Sequence, residues 1–362
     1  MSRNSTIDSF KGIGIIWIIL IHFSQHFSVG PFTRIAYNGD MGVELMFMLS
    51  GYLITDSLAR TNNQEILSWY KKRVLRIIPM YWFFNIISLL LVGGNGYWYG
   101  PDGKLSIKAI ILNFLCIHGF NPYYINVINV NWFIADIMIW YVVAPVFMRI
   151  FRSIRSILLL LFAYMPVYLT ISSRVNEAAG LDIQSKLYYT HFCFLAQFPI
   201  ILIGVVLWKL LNEYSDLLDV LNRAIDKTLN NIAFVYLLIL GINMIYGLFE
   251  GISVFGRDFT WGIYFGFLFS ICFKRRHFIV DNKFWAVFGK YSLGLYLTHF
   301  TLILLVRKLF DLNEIIFTGE WQIIILFLGV CLISLFIAFF VEYIQDITIK
   351  QFRVLIKVGR TN

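Results

Sequence analysis

The sequence predicts an all-α polytopic membrane protein, with about ten transmembrane helices and one short re-entrant or interfacial segment. Two facts of composition and one pattern carry that prediction. Of the 362 residues, 59% are apolar and only 14% are charged, against about 25% charged in an ordinary soluble domain. Mean hydropathy is +0.73. Apolar runs long enough to cross the hydrocarbon layer, roughly 20 residues, recur from residue 10 to residue 343. A soluble fold would leave that hydrocarbon facing water in large patches. A soluble enzyme, a disordered chain and a nucleic-acid binder are therefore excluded.

The formal net charge is +9. In a membrane protein this excess belongs to cytoplasmic loops, so it implies no nucleic-acid partner. Cys116, Cys193, Cys272 and Cys331 all lie in apolar segments without CxxC spacing, which indicates neither a disulfide framework nor a zinc site. The polar start MSRNSTIDSFKG runs into apolar sequence without a small-residue cleavage site. It is read as a retained first span rather than a signal peptide.

The spans follow in order at 10–29, 40–58, 74–93, 131–150, 154–172, 191–211, 230–250, 254–273, 284–306 and 321–343. The stretch 107–119 has only 13 residues, too few to cross. Charge decides its role. Arg60, Lys71, Lys72 and Arg73 form one basic cluster, and Arg149, Arg152 and Arg155 a second. KRRHFIVDNK at 274–283 and the tail with Lys350, Arg353, Lys357 and Arg360 supply two more. All four share the side of the N-terminus only if 107–119 does not cross, as the positive-inside bias requires. Both termini are thereby expected in the cytoplasm, while loop 209–229, which mixes acids and bases, decides least. No polar insertion is long enough to fold alone. The chain 1–362 reads as one integral-membrane domain, spanning about 10–343, with a short basic tail at 344–362 and no fused extracellular domain.

Ionisable groups inside hydrocarbon are costly and mark functional sites. Lys11 and His22 share a face of the first span, about 16 Å apart at 1.5 Å per residue. Asp8 lies a turn before Lys11, and His26 a turn beyond His22. A cation at a mouth suits an anionic, phosphate-bearing group, and a deeper imidazole suits general-base work near neutral pH. A buried, hydrogen-bonded histidine is the plainer account of the same spacing. The His22/His26 pair has metal-ligand spacing but no evident third ligand, so no metal is expected. In the second span Glu44 stands near the outer end, and Ser50-Gly51 is expected to interrupt the helix, most simply for close packing. Arg73 and Arg76 are i,i+3 neighbours ahead of Pro79. Their forks suit bidentate phosphate binding, or simple anchoring at headgroups. Arg76 lies deeper and should face protein or water. Asp136 is buried in its span and must find a partner. Ser292 and Tyr296 share a face that His299 continues, beside Lys290, and Glu342 lies near the inner end of the last span.

Taken together these residues resemble the integral-membrane acyltransferases called acyltransferase family three. The family's aspartate, then arginine, ten residues and histidine is similar to Asp8, Lys11 and His22. Its "GV-acid-x-FF-x-x-SGF" resembles Gly42 to Tyr52, its arginine-x-x-arginine Arg73 and Arg76, with Pro79, Tyr81 and Trp82 following. The late serine and tyrosine-leucine-x-histidine resemble Ser292 and Tyr296 to His299, and Phe198-Pro199 with Gly204 a further motif. The chain departs from the pattern at Lys11, which replaces a planar fork by a point charge. It departs again at Asp136, where many members have glutamate, and after Glu342.

The resemblance implies an O-acyltransferase that moves an acyl group, usually acetyl from acetyl-CoA as co-substrate, onto a hydroxyl of a cell-envelope carbohydrate. It implies His22 as general base, with Asp8 acting beside it through the orientation of Lys11. It implies Lys11, Arg73 and Arg76 for acyl-CoA, and Glu44, Ser50, Asp136, Ser292, Tyr296 and His299 as substrate or structural support. The expected partners are acyl-CoA, a carbohydrate acceptor such as O-antigen, and the lipids of a bacterial inner membrane. The rival reading is a transporter of lipid-linked sugars or small anions, which also keeps ionisable groups inside its bundle; a non-catalytic sensor or assembly subunit is a further one.

Overall fold

The computed structural model describes residues 5–27, 33–93, 106–125, 128, 130–216, 220, 227–246, 256–313 and 319–358. It is 86% helical, and among the described residues it has no strand. Among the described residues, fourteen α-helices succeed one another. They are α1 (Ser5–His26), α2 (Thr33–Tyr37), α3 (Met41–Ala59), α4 (Ile66–Leu91), α5 (Ile107–Phe114), α6 (Trp132–Ile150), α7 (Ile154–Glu177) and α8 (Ile183–Leu187). After them come α9 (Phe194–Asn212), α10 (Lys227–Ile245), α11 (Arg257–Lys274), α12 (Lys283–Lys290), α13 (Ser292–Leu312) and α14 (Glu320–Val358). A π-helical turn, Tyr188–Phe192, leads from α8 towards α9.

Among the described residues, eight segments, with α8 through α9 taken as one, are long and apolar enough to cross a membrane. The segments over the predicted spans 40–58 and 254–273, α3 and α11, are helical but fall outside that set. They are inner helices: Gly, Ser, Tyr and acidic residues replace hydrocarbon where the neighbour is protein rather than lipid. The outer helices show the opposite pattern, with Leu159 and Phe162 of α7 and Trp321, Ile325 and Phe336 of α14 exposed. Those faces are the lipid boundary.

Three details differ from the sequence reading. The span expected at 284–306 is two helices, α12 and α13, joined at Tyr291. Its break comes from tight packing on α1: a Cβ on Gly289 would lie 1.6 Å from the carbonyl oxygen of Asp8, and one on Gly12 would lie 1.9 Å from that of Trp285. The backbones touch, and a straight 23-residue helix would have to leave that contact. Secondly, α3 runs unbroken through Ser50 and Gly51. Ser50 Oγ donates to the Met46 carbonyl at 2.7 Å, which satisfies it within the helix. Gly51 is there for α9, because a Cβ would stand 2.1 Å from the Ile201 carbonyl oxygen. Gly204 repeats the contact from the other side, 1.9 Å from that of Met48. Thirdly, α14 continues past 343 to Val358, so most of the expected tail is helix.

The short stretch at 107–119 contains α5, eight residues or about 12 Å, followed by a 3₁₀ turn at His118–Phe120. That is far less than a hydrocarbon thickness. Residues 28–29, 247–250 and 254–255 of the predicted spans, residues 217–219 and 221–226 of the loop after α9, and Arg360 lie outside the described residues.

Candidate active site

Helix α1 is the axis of the site. It packs along α12, α3 and α13, and its buried stripe of Phe10, Ile15, Ile18, Ile19 and Phe23 fixes its rotation. With that face committed to the core, Lys11 turns into a cavity of about 500 Å³ between α1, α3, α4, α6 and α13. Five cations line it, Lys11, Arg60, Lys72, Arg73 and Arg76, against two acids, Asp56 and Glu65. Asp56 is already paired with Arg60. The cavity therefore carries a positive surplus inside walls of low polarisability, where an anionic ligand is held more strongly than in water.

Arg73 is held on three sides. Its guanidinium lies 5.4 Å from the Trp69 ring and 6.0 Å from the Tyr141 ring, and it donates to Ser57 Oγ. Trp69 Nε1 donates to the same oxygen at 2.7 Å. An aromatic shelf of this kind keeps the planar fork oriented without neutralising it. Arg76 stands one turn further along α4 and also lines the cavity, while its backbone carbonyl accepts from Gln345 of α14 at 3.1 Å.

Ser50, Ser292 and Tyr296 line the same cavity. Tyr296, nearly fully buried, donates its hydroxyl to the Val130 carbonyl. Beyond it lies a series of rings. Tyr296 and His299 have centroids 5.8 Å apart, and His299 and His22 5.4 Å apart. Phe300 closes edge-on against His22 at 5.3 Å. His22 thus faces the protein, though it does not line the cavity wall itself.

Both imidazoles are held in one tautomer. His22 Nδ1 donates to Gln25 Oε1 at 3.2 Å, and His299 Nδ1 donates to the Leu295 carbonyl at 3.0 Å. Each ring then keeps an Nε2 lone pair able to accept a proton. His299 Nε2 is fully buried with no hydrogen-bond partner.

Asp8 is buried in the first turn of α1, about 21 Å along the helix from His22, and is held by the α12 contact. Asp136 and Glu44, both named from the sequence, lie apart from the cavity lining. Both are fully buried, and none of their four carboxylate oxygens has a hydrogen-bond partner. Asp136, expected to find a partner, instead lies beside Gly119, whose Cβ would stand 3.7 Å from Oδ1. Glu342 lies against α13 near Gly294, and Lys290 stacks 4.9 Å from the ring of Tyr291. His26 sits 5.8 Å from Phe300, on the His22 side. The four cysteines are buried and unbridged.

The sequence reading missed Ser57, Trp69 and Tyr141 around Arg73, and it missed His191 and Asp258. Trp69 carried a local signal, since it lies four residues before Arg73 on one helical face. The others are brought in from distant sequence by helix packing and had none.

A family model for the acyltransferase domain matches residues 4–343. The chain belongs to this acyltransferase family. The chain is 31% identical over 87 residues, 23% of its length, to O-acetyltransferase OatA of Staphylococcus aureus strain NCTC 8325 / PS 47. It is 26% identical over 110 residues, 29% of its chain, to a protein of S. aureus strain COL provisionally named O-acetyltransferase SACOL0978. The alignments span 13% and 16% of those proteins. No solved structure matches the chain.

Proposed function

We propose that this protein is an O-acyltransferase that takes an acyl group, most simply acetyl, from acyl-CoA and places it on a hydroxyl of a cell-surface polysaccharide or lipid-linked sugar. The observation that carries the reading is the basic cavity that ends at Tyr296. It places Lys11, Arg73 and Arg76 at one end of α1, with the ring series Tyr296, His299 and His22 leading towards the other. The phosphates of the donor suit the arginine forks, and its extended thiol arm would point towards the rings beyond Tyr296.

In this mechanism the acceptor hydroxyl loses its proton to His22 Nε2 as its oxygen attacks the thioester carbonyl. The carbon–sulfur bond breaks, the coenzyme leaves as thiolate, and the imidazolium returns the proton to sulfur. The Nδ1 contact with Gln25 supports the role, because it leaves Nε2 as the basic atom. The matched relatives bear the name O-acetyltransferase, which favours an oxygen acceptor and a short acyl chain. With the basic cavity facing cytoplasmic acyl-CoA, both termini are cytoplasmic and the protein resides in a bacterial inner membrane.

The test is transfer of label from radiolabelled acetyl-CoA to glycan in membranes containing the protein. Incorporation that disappears in His22→Ala, at an unchanged protein level, supports the assignment. Full incorporation by that variant rejects the base, and absence of incorporation by the unaltered protein rejects the donor.

A further inference from the structure

Away from the basic cavity, three elements meet at a second polar centre. Glu44 lies in the first turn of α3, His191 in the π-helical turn before α9, and Asp258 in the first turn of α11. One ligand atom from each lies within 4.8 Å of the other two. His191 Nδ1 and Asp258 Oδ2 are 2.6 Å apart. None of the three lines the basic cavity.

The anomaly is Glu44. It is 1% exposed, and neither carboxylate oxygen has a hydrogen-bond partner. A buried carboxylate beside a second one is costly unless a cation or a proton offsets it. Arg257 makes no hydrogen bond to Glu44. It is engaged with Asp40, through both terminal nitrogens, and with Asn38 Oδ1 at 2.9 Å. Glu44 is therefore a buried carboxyl without a hydrogen bond, set beside the hydrogen-bonded pair of His191 and Asp258.

We propose that Glu44, His191 and Asp258 bind a divalent metal ion of the zinc type. One imidazole nitrogen with two carboxylates is a donor set for a borderline ion such as Zn²⁺ rather than for Mg²⁺ or Ca²⁺, which take oxygen ligands throughout. Tetrahedral zinc with ligands at about 2.0–2.2 Å holds them roughly 3.4 Å from one another. The present separations, from 2.6 Å between His191 and Asp258 up to 4.8 Å, bracket that value. Two carboxylates match the ion's charge, and three protein ligands leave the fourth position to water. Outside the ligands, Gln197 Nε2 donates to the His191 carbonyl at 2.7 Å, and the Trp132 ring lies 5.4 Å from the imidazole. Such contacts keep a ligating histidine in place. The ion would pin α3, the π turn and α11 together, away from the basic cavity.

The experiment uses the full chain purified in detergent, stripped with chelator, incubated with zinc sulfate alone and desalted. Metal is then counted by mass spectrometry and thermal unfolding is recorded with and without zinc. The expected result is about one zinc per chain and a higher unfolding temperature. Glu44→Gln and His191→Gln should fall to background zinc while remaining monodisperse, and His22→Ala should keep its zinc. Retention by Glu44→Gln equal to that of the unaltered protein overturns the proposal. Should either variant aggregate, the unaltered protein decides: no retained zinc and no thermal shift also overturns it. Because metal retention is read without any transfer assay, its failure is distinguishable from failure of the acyltransferase mechanism.

Discussion

His22 and His299 come from helices 277 positions apart in the chain, and their imidazoles pack with centroids 5.4 Å apart at an interplanar angle of 33°. Their Nδ1 atoms are occupied, by Gln25 and by the Leu295 carbonyl. Two rings in contact, each with Nδ1 engaged, leave Nε2 as the atom that can accept a proton. Removal of the acceptor should cost the rate that general-base catalysis contributes, about 10²- to 10⁴-fold. His22→Gln is expected to lower kcat by that order with little change in membrane level or donor KM. A kcat within threefold of the unaltered protein would rule the role out.

Arg73 and Arg76 act on binding rather than on the reacting bond. Each alanine substitution should raise the KM for acyl-CoA about tenfold, the loss of a charge-assisted contact worth roughly 1.4 kcal/mol or more. Arg73→Lys should recover little, because an ammonium cannot sit as a flat fork between Trp69, Tyr141 and Ser57. Steady-state kinetics with varied donor separates KM from kcat, and donor kinetics unchanged in Arg76→Ala would remove that residue from the phosphate site.

The α3–α9 contact leaves no room for a methyl group. Gly51→Ala and Gly204→Ala each drive a Cβ into a facing carbonyl, at 2.1 and 1.9 Å, and should destabilise by about 1–3 kcal/mol or more. Both substitutions strain one contact, so their combined effect on thermal unfolding in detergent should be less than additive. Strict additivity would mean that the two glycines do not share a contact.

His277 gives a pH-dependent prediction outside the spans. Its ring stacks on Phe234 at 3.9 Å and 9°, and Nε2 donates to Asn230 Oδ1 at 2.9 Å. Burial against that ring pulls its pKa below the ordinary 6.5, because a desolvated imidazole resists its charge. The unfolded chain then binds the proton more readily than the folded one. The contribution is present in full above 6.5, and it is lost as pH falls through that value towards the lower folded pKa. The unfolding temperature of the unaltered protein should drop more between pH 7.5 and pH 5.5 than that of His277→Asn. Equal drops would refute the linkage.

The legible part of the protein is the part written in neighbouring residues. Hydrocarbon content and run length determined that the chain crosses a membrane as helices, since no other structure satisfies the backbone there at such apolarity. The 11-residue spacing put Lys11 and His22 on one face, and the i,i+3 spacing of Arg73 and Arg76 turned both forks one way; the family's motifs are likewise local. Packing decided what no local pattern carries. It split the span at Tyr291 where Gly289 meets Asp8, and it kept α3 straight through Ser50-Gly51 because Ile201 needs that groove. It also laid Trp69 and Tyr141 under Arg73, and gathered Glu44, His191 and Asp258 from three distant segments. The reason is geometric: periodicity reports which side of a helix is apolar, whereas the partner on that side depends on how helices close in space.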